Sequence, residues 1–232
     1  MRTVFSRKWK EVYERLPLER ATCSLADISG FNRYCDDQEA LRHFVFRRLA
    51  GLQRGSSPGR TVCAVGCGCG DKLKLFCEAG FQCFGVDYSS SMIERAKVEM
   101  PAAQLFNSEA IELPFPSACA DIVFSFSVFI YFEAWDYAAR ALEEMWRVAR
   151  PGAVVCVWDV PDVNRKKEVE AFRGPAEQGY EHTYYDMNDF VRWFLEHGAS
   201  EVRSEYVVLP FYKHSLSRFH ITAVKPSSEA KR

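Results

Sequence analysis

The residues best suited to chemistry in this chain are Gly66-Cys67-Gly68-Cys69-Gly70-Asp71, followed downstream by Asp87. The run Thr61 to Val65 just before them is apolar and partly β-branched, and reads as a buried parallel strand. Residues 72–80 read as a helix stopped at Gly80. A strand, a glycine turn and a helix make a ligand site. Glycine lets the backbone come close, and the first turn of the helix offers free N–H groups. A second strand, Gln82 to Val86, ends in Asp87, whose carboxylate is placed to accept hydrogen bonds from two ribose hydroxyls. The spacing separates two ligand classes. A dinucleotide fingerprint reads G-x-G-x-x-G, but here the third glycine comes one residue early and Asp71 stands in its place. An acid there repels a pyrophosphate, so the pattern suits a ligand with an adenosine and no phosphate.

Further motifs follow in order along the chain. Gly85-Val86-Asp87-Tyr88-Ser89 leads into Ser91-Met92, and Glu109-Ala110-Ile111-Glu112-Leu113-Pro114-Phe115 comes next. Ala120 to Ser125 is apolar, and Glu144-Met145-Trp146-Arg147-Val148-Ala149-Arg150-Pro151-Gly152 precedes another apolar run. With the glycine turn, these segments resemble the class I S-adenosylmethionine-dependent methyltransferases over roughly residues 60 to 160. The resemblance implies a doubly wound, mostly parallel seven-stranded α/β sheet of Rossmann-like type. It also implies S-adenosylmethionine as cofactor and S-adenosylhomocysteine as product, with no metal. It assigns cofactor contacts to Gly66, Cys67, Gly68, Gly70, Asp87, Tyr88 and Met92, and adenine contacts to Glu109 and Ala110. Tyr13 is expected either to cover the cofactor, as N-terminal aromatics do in related methyltransferases, or to pack on the core with Trp9. One departure stands out: Ala64 occupies the position where the family usually has an acid that orients the glycine loop and the amino group of the cofactor.

Composition bounds the rest. The 232 residues carry a net charge of -1 and 48% apolar residues, as expected of one soluble globular domain without a field for nucleic acid or membrane. The charge is uneven: residues 1–60 hold 12 Lys+Arg against 7 Asp+Glu. That basic segment is either a solvated face or an RNA contact. Nine cysteines without a Cys-x-x-Cys pair fit free thiols in a reducing cytoplasm rather than a disulfide frame or a zinc site. No signal-like or membrane-length apolar stretch occurs.

The elements that must position these residues follow from periodicity. Residues 1–58 read as a helical cap with helices over 5–20 and 37–53, a loop at Gly30 to Tyr34 and a linker at Arg54 to Gly59. Residues 59–226 form the Rossmann-like body, and 227–232 a polar tail. Within the body, helices are predicted over 89–100, 135–149 and 186–197. Strands are predicted over 103–106, 121–129 and 153–158. Two more, 201–209 and 218–224, are predicted antiparallel at the end. Ser125 and Tyr131 fall at the carboxyl end of the fourth strand, where such sheets hold their ligands. Residues 160–183, punctuated by Pro161, Gly174, Pro175 and Gly179, are expected to be a loop covering the substrate, with Tyr180, His182, Tyr184 and Tyr185 as its walls. Tyr131 and His182 are the catalytic candidates, the histidine as the one group there that titrates near neutrality. The expected activity is methyl transfer to a small-molecule O or N acceptor. The alternatives are an RNA or protein methyltransferase, a cofactor-binding partner protein without activity (suggested by Ala64), and a hydride-transferring enzyme, against which Asp71 argues.

Overall fold

The computed structural model describes residues 11–17, 23–28, 34–52, 60–171 and 182–227. The expectations for Trp9, the loop at Gly30 to Tyr34 apart from Tyr34 itself, the linker at 54–59, Gly174, Pro175, Gly179, Tyr180 and most of the tail lie outside these residues. Seven strands form one sheet: β1 (Thr61–Val65), β2 (Gln82–Asp87), β3 (Gln104–Asn107), β4 (Ala120–Phe126), β5 (Ala149–Pro161), β6 (Glu201–Tyr206) and β7 (Arg218–Val224). Their order is β3-β2-β1-β4-β5-β7-β6. The pairs from β3 to β5 are parallel, and β7 runs antiparallel to both β5 and β6. Every residue of β1 is buried, as a strand covered on both faces requires.

Helices cover both faces. Residues 11–17 are helical (α1), followed by α2 (Leu25–Ile28), α3 (Gln38–Leu52), α4 (Lys74–Glu78), α5 (Ser90–Glu99), α6 (Trp135–Val148), α7 (Lys166–Ala171) and α8 (Met187–Glu196). On one face, Leu41, Val45 and Leu49 of α3 pack with Phe76 of α4 and Ile93 of α5 against Val62, Ala64, Phe124 and Trp158. On the other, Ala138, Leu142 and Met145 of α6 and Phe190 and Phe194 of α8 meet Val65, Val123, Val155 and Phe219. The spacing of the buried residues in α6 and α8 is that of one helix stripe. Ser89 caps α5 by accepting from Met92 N, and Asp186 caps α8 by accepting from Asn188 N.

Several boundaries differ from the sequence expectation; β5 runs Ala149–Pro161 rather than 153–158, and β6 stops at Tyr206 rather than at 209. The helix after the glycine turn is short, Lys74–Glu78, because residues 70–73 complete the turn. β4 stops at Phe126 although the apolar run continues, because Ser127 takes a left-handed φ of 58° and residues 129–131 wind into a 3₁₀ turn. The stretch expected as an open loop from residue 160 instead begins inside β5, passes a 3₁₀ turn at Val163–Arg165 and enters α7. Its return is tied down: Thr183 N donates to Ile130 O, Tyr185 N to Pro161 O and Val163 N to Tyr185 O. Tyr185 is therefore core, not pocket wall, with its hydroxyl on Phe129 O at 2.9 Å. Tyr184 turns outward, under Lys166 and toward Glu170.

Candidate active site

The glycine turn is built from β1 and β2 together. Gly66 N and Cys67 N both donate to Val86 O, at 2.9 and 2.8 Å, which folds the turn over the end of β2. Gly66 has a φ of 73°, and a Cβ there would lie 2.4 Å from Val128 Cγ2, so only glycine fits. Gly68, at φ 55°, faces open space on its Cβ side, a cradle that leaves room for a ligand against the backbone. Asp87 sits directly beside it: Gly68 N donates to Oδ2 at 2.8 Å and Ser89 N to Oδ1 at 3.0 Å. Each oxygen keeps a lone pair, so the carboxylate can still accept two hydroxyls. Burial pushes the Asp87 carboxyl up to about 6, against the lowering effect of these N–H donors.

Around this pair, two buried hydroxyls have no hydrogen-bond partner among the described residues: those of Tyr88 and Ser125. Unspent buried polar groups of this kind suit a polar ligand. Met92 is buried behind the turn with Leu25, Ile28 and Cys69. Glu109 accepts from the Tyr137 hydroxyl at 3.2 Å, beside the nearly buried Ala110. The segment that follows is clamped. Leu113 N donates to Glu144 at 2.7 Å, and Arg147 donates to Leu113 O and Phe115 O at 3.0 and 2.8 Å. Glu144 and Arg147 pair with each other at 2.6 Å, which draws the glutamate carboxyl below its ordinary value despite burial.

The cap closes the other side. Glu14 accepts from Ser90 N and Ser91 N, both at 2.9 Å, where its charge also meets the positive end of α5. Ser89 Oγ donates to Tyr13 O at 3.1 Å. Tyr13 thereby reaches Tyr131, their hydroxyls 2.5 Å apart and their rings edge to face at 5.5 Å. Burial, first of all, raises the Tyr13 phenol well above its ordinary value, so it stays protonated at neutral pH. His182 lies edge-on to Tyr131, ring centroids 6.3 Å apart. The structure thus brings together Gly68, Asp87, Tyr88, Tyr13, Tyr131 and His182, which are far apart in sequence.

This layout has known counterparts. Residues 63–157 match the methyltransferase domain family. Over residues 63–157, then, the chain matches a methyltransferase domain, on a sheet of the class I S-adenosylmethionine-dependent type. A malonyl-[acyl-carrier protein] O-methyltransferase from Serratia marcescens is 34% identical over 134 residues, covering 56% of this chain and 51% of the relative. A probable tRNA methyltransferase 9B from Mus musculus is 28% identical over 123 residues, covering 52% and 27%. The chain spans about half the length, or less, of the curated relatives it matches. Among solved structures, the magnesium protoporphyrin IX methyltransferase of Synechocystis PCC 6803 with bound S-adenosylmethionine aligns with a TM-score of 0.66 and 15% identity. That alignment covers 97% of this chain and 98% of the other, a likeness of fold.

One group of residues at this site of the methyltransferase domain is invisible to motif reading. Asp159, 1% exposed and at φ 63°, pairs with Arg218 at 2.7 Å and accepts from the Tyr212 hydroxyl at 2.9 Å on both oxygens. Burial alone would raise the Asp159 carboxyl; Arg218 and Ser127 hold it below its ordinary value. Burial pushes His214 down to about 3 and His220 down to about 4, so both are neutral. The available sequence signal was Asp159 at a strand end; its partners arrive from residues 212–218, which no local pattern links to it. Among the described residues no group of His, Cys, Asp and Glu could hold a metal ion, and no helix is long and apolar enough to cross a membrane.

Proposed function

We propose that this chain transfers a methyl group from S-adenosylmethionine to a small-molecule O or N acceptor. The observation that carries the reading is the Gly66–Gly70 turn locked on Asp87, with an open cradle at Gly68 and unspent hydroxyls at Tyr88 and Ser125. Asp87 would hold the ribose hydroxyls, Glu109 and Ala110 the adenine, and Gly66, Cys67, Gly68 and Gly70 the backbone contacts. Tyr88 and Ser125 would line the same cleft, Met92 would support the turn from behind, and Tyr13 would cover it. The cofactor supplies a methyl group already activated on a sulfonium. What remains for the protein is alignment and exclusion of water.

The Tyr13–Tyr131 pair serves both purposes. Its hydroxyls close the cap onto the carboxyl edge of β4, and the protonated Tyr13 can donate a hydrogen bond but cannot act as a base. A base is needed only for an acceptor that keeps its proton at working pH. His182, edge-on to Tyr131, is the group placed to take one. The cap would span residues 1–58, the body 59–226 and the tail 227–232, with His182 bordering the acceptor side.

A mass-spectrometric methylation screen with S-adenosylmethionine against metabolite and RNA pools tests it. Methylated small molecules are expected. Methylation confined to RNA would contradict the acceptor class and favour the second reading, which the basic residues 1–60 and the tRNA-methyltransferase relative support. No methylated product in either pool would contradict the activity and favour a cofactor-binding partner.

A further inference from the structure

Resting on that reading, we propose that the methyl acceptor carries a carboxylate and that Arg218 grips it with the Nε–Nη2 edge of its guanidinium. Position comes first. β7 runs antiparallel to β5, so its first residue lies at the edge of the sheet where β4 and β5 end. Arg218 is there joined to Ser127, just past the end of β4, and to Asp159 in β5. Tyr131 is within electrostatic reach of the same guanidinium. The cluster therefore borders the acceptor side of the cleft and is distinct from the Asp87 side.

The bonding of Arg218 is lopsided. The side chain is 5% exposed, yet Nη1 makes all three of its hydrogen bonds: to Asp159 Oδ2 at 2.7 Å, Ser127 Oγ at 3.0 Å and the Tyr212 hydroxyl at 3.4 Å. Nε is buried with no partner, and Nη2 makes no hydrogen bond among the described residues. Nε and Nη2 carry parallel N–H groups, the edge that meets two coplanar oxygens at once. A buried donor left unspent is unfavourable and calls for an acceptor. Lysine could not supply this fork.

The backbone around the cluster is built to hold it. Ser127 and Asp159 are non-glycine residues with φ of 58° and 63°, at the ends of adjacent strands. The β5–β7 register shifts between Val157 and Val160, a bulge that turns Asp159 toward Arg218. Strained backbone of this kind persists at ligand clamps. Charge selects the ligand. Asp159 offsets part of the Arg218 charge, and the neutral His214 and His220 add no cation, so a dianionic phosphate would meet about twice the repulsion from Asp159 that a monoanion does, with only one N–H edge to hold it. A monoanion with two coplanar oxygens fits: a carboxylate.

The test pairs acids with their amides. Benzoate, 3-phenylpropionate and octanoate, and benzamide, 3-phenylpropionamide and octanamide, are titrated by ligand-observed NMR into the protein loaded with S-adenosylhomocysteine. At least one acid should bind about tenfold more tightly than its amide, the gain of a charge-assisted bidentate contact. Arg218→Gln alone would leave Asp159 buried and uncompensated, so it is combined with Asp159→Asn; Arg218→Lys is the conservative partner. The double variant should lose the acid preference while keeping S-adenosylhomocysteine affinity, and Arg218→Lys should weaken the preference. Absence of acid binding, equal binding of acids and amides, or an acid preference that survives in the double variant would overturn the proposal. A wild type that prefers acids but fails to bind S-adenosylhomocysteine would contradict the methyltransferase reading and leave the Arg218 assignment standing.

Discussion

At the scale of the residue, Asp87 is the side chain on which cofactor affinity turns in the proposed function. It is buried, and its carboxyl titrates near 6 because burial outweighs the N–H donors of Ser89 and Gly68. Hydroxyls donated by a ribose favour the ionised form. Binding is therefore strongest above pH 6 and weakens as pH falls through it, by up to about tenfold per unit. Calorimetric titration with S-adenosylhomocysteine from about pH 7.5 to about pH 5 is expected to show this loss. Asp87→Ala should cost ~1.5–3 kcal/mol at neutral pH, the worth of hydrogen bonds to a charged group. Affinity that is flat with pH, or a folded Asp87→Ala that binds normally, would place the ribose elsewhere. Asp87 was legible from its place at the end of a strand one unit after a glycine turn. Ser127 and Asp159 were not, because their left-handed backbone is imposed by what β7 and residues 212–218 bring against them.

At the scale of the element, the E-x-x-R segment of α6 explains how a motif remote from the turn contributes to the site. Glu144 and Arg147, one turn apart, straddle the Leu113–Phe115 segment and hold its backbone by three hydrogen bonds. Arg147→Ala should lower unfolding stability by about 1.5 kcal/mol, the low end for charged hydrogen bonds because the side chain is one-third exposed. It should also weaken cofactor binding through the loosened Glu109–Ala110 stretch. Urea denaturation and calorimetry together check this; an unchanged midpoint with unchanged affinity would show the clamp to be idle. Element types followed from period and punctuation: β1 and β7 fall on their expected residues, and α5, α6 and α8 lie within a residue or two. Residues 160–171 did not, since proline and polar residues there accompany a strand end and a short helix rather than an open loop.

At the scale of the whole molecule, the reversed β7 is what turns a nucleotide-type sheet into this site. It delivers Arg218 to the edge where β1, β2 and β4 present the glycine turn, Asp87 and Ser125, while α1 folds back through Glu14 to set Tyr13 on Tyr131. The sheet and its motifs were readable because buried parallel strands are short apolar runs and glycine turns have fixed spacing. The joining of Tyr13, Tyr131, His182 and Arg218 depends on tertiary packing, which local sequence does not encode. The central claim is that this cleft takes an adenosine-bearing sulfonium cofactor and not a dinucleotide. Calorimetric titration of the full chain with S-adenosylmethionine, S-adenosylhomocysteine and NAD tests it most directly. Saturable one-to-one binding of the first two without added metal, and none of NAD, is the expected result; binding of NAD with neither of the others would contradict the account.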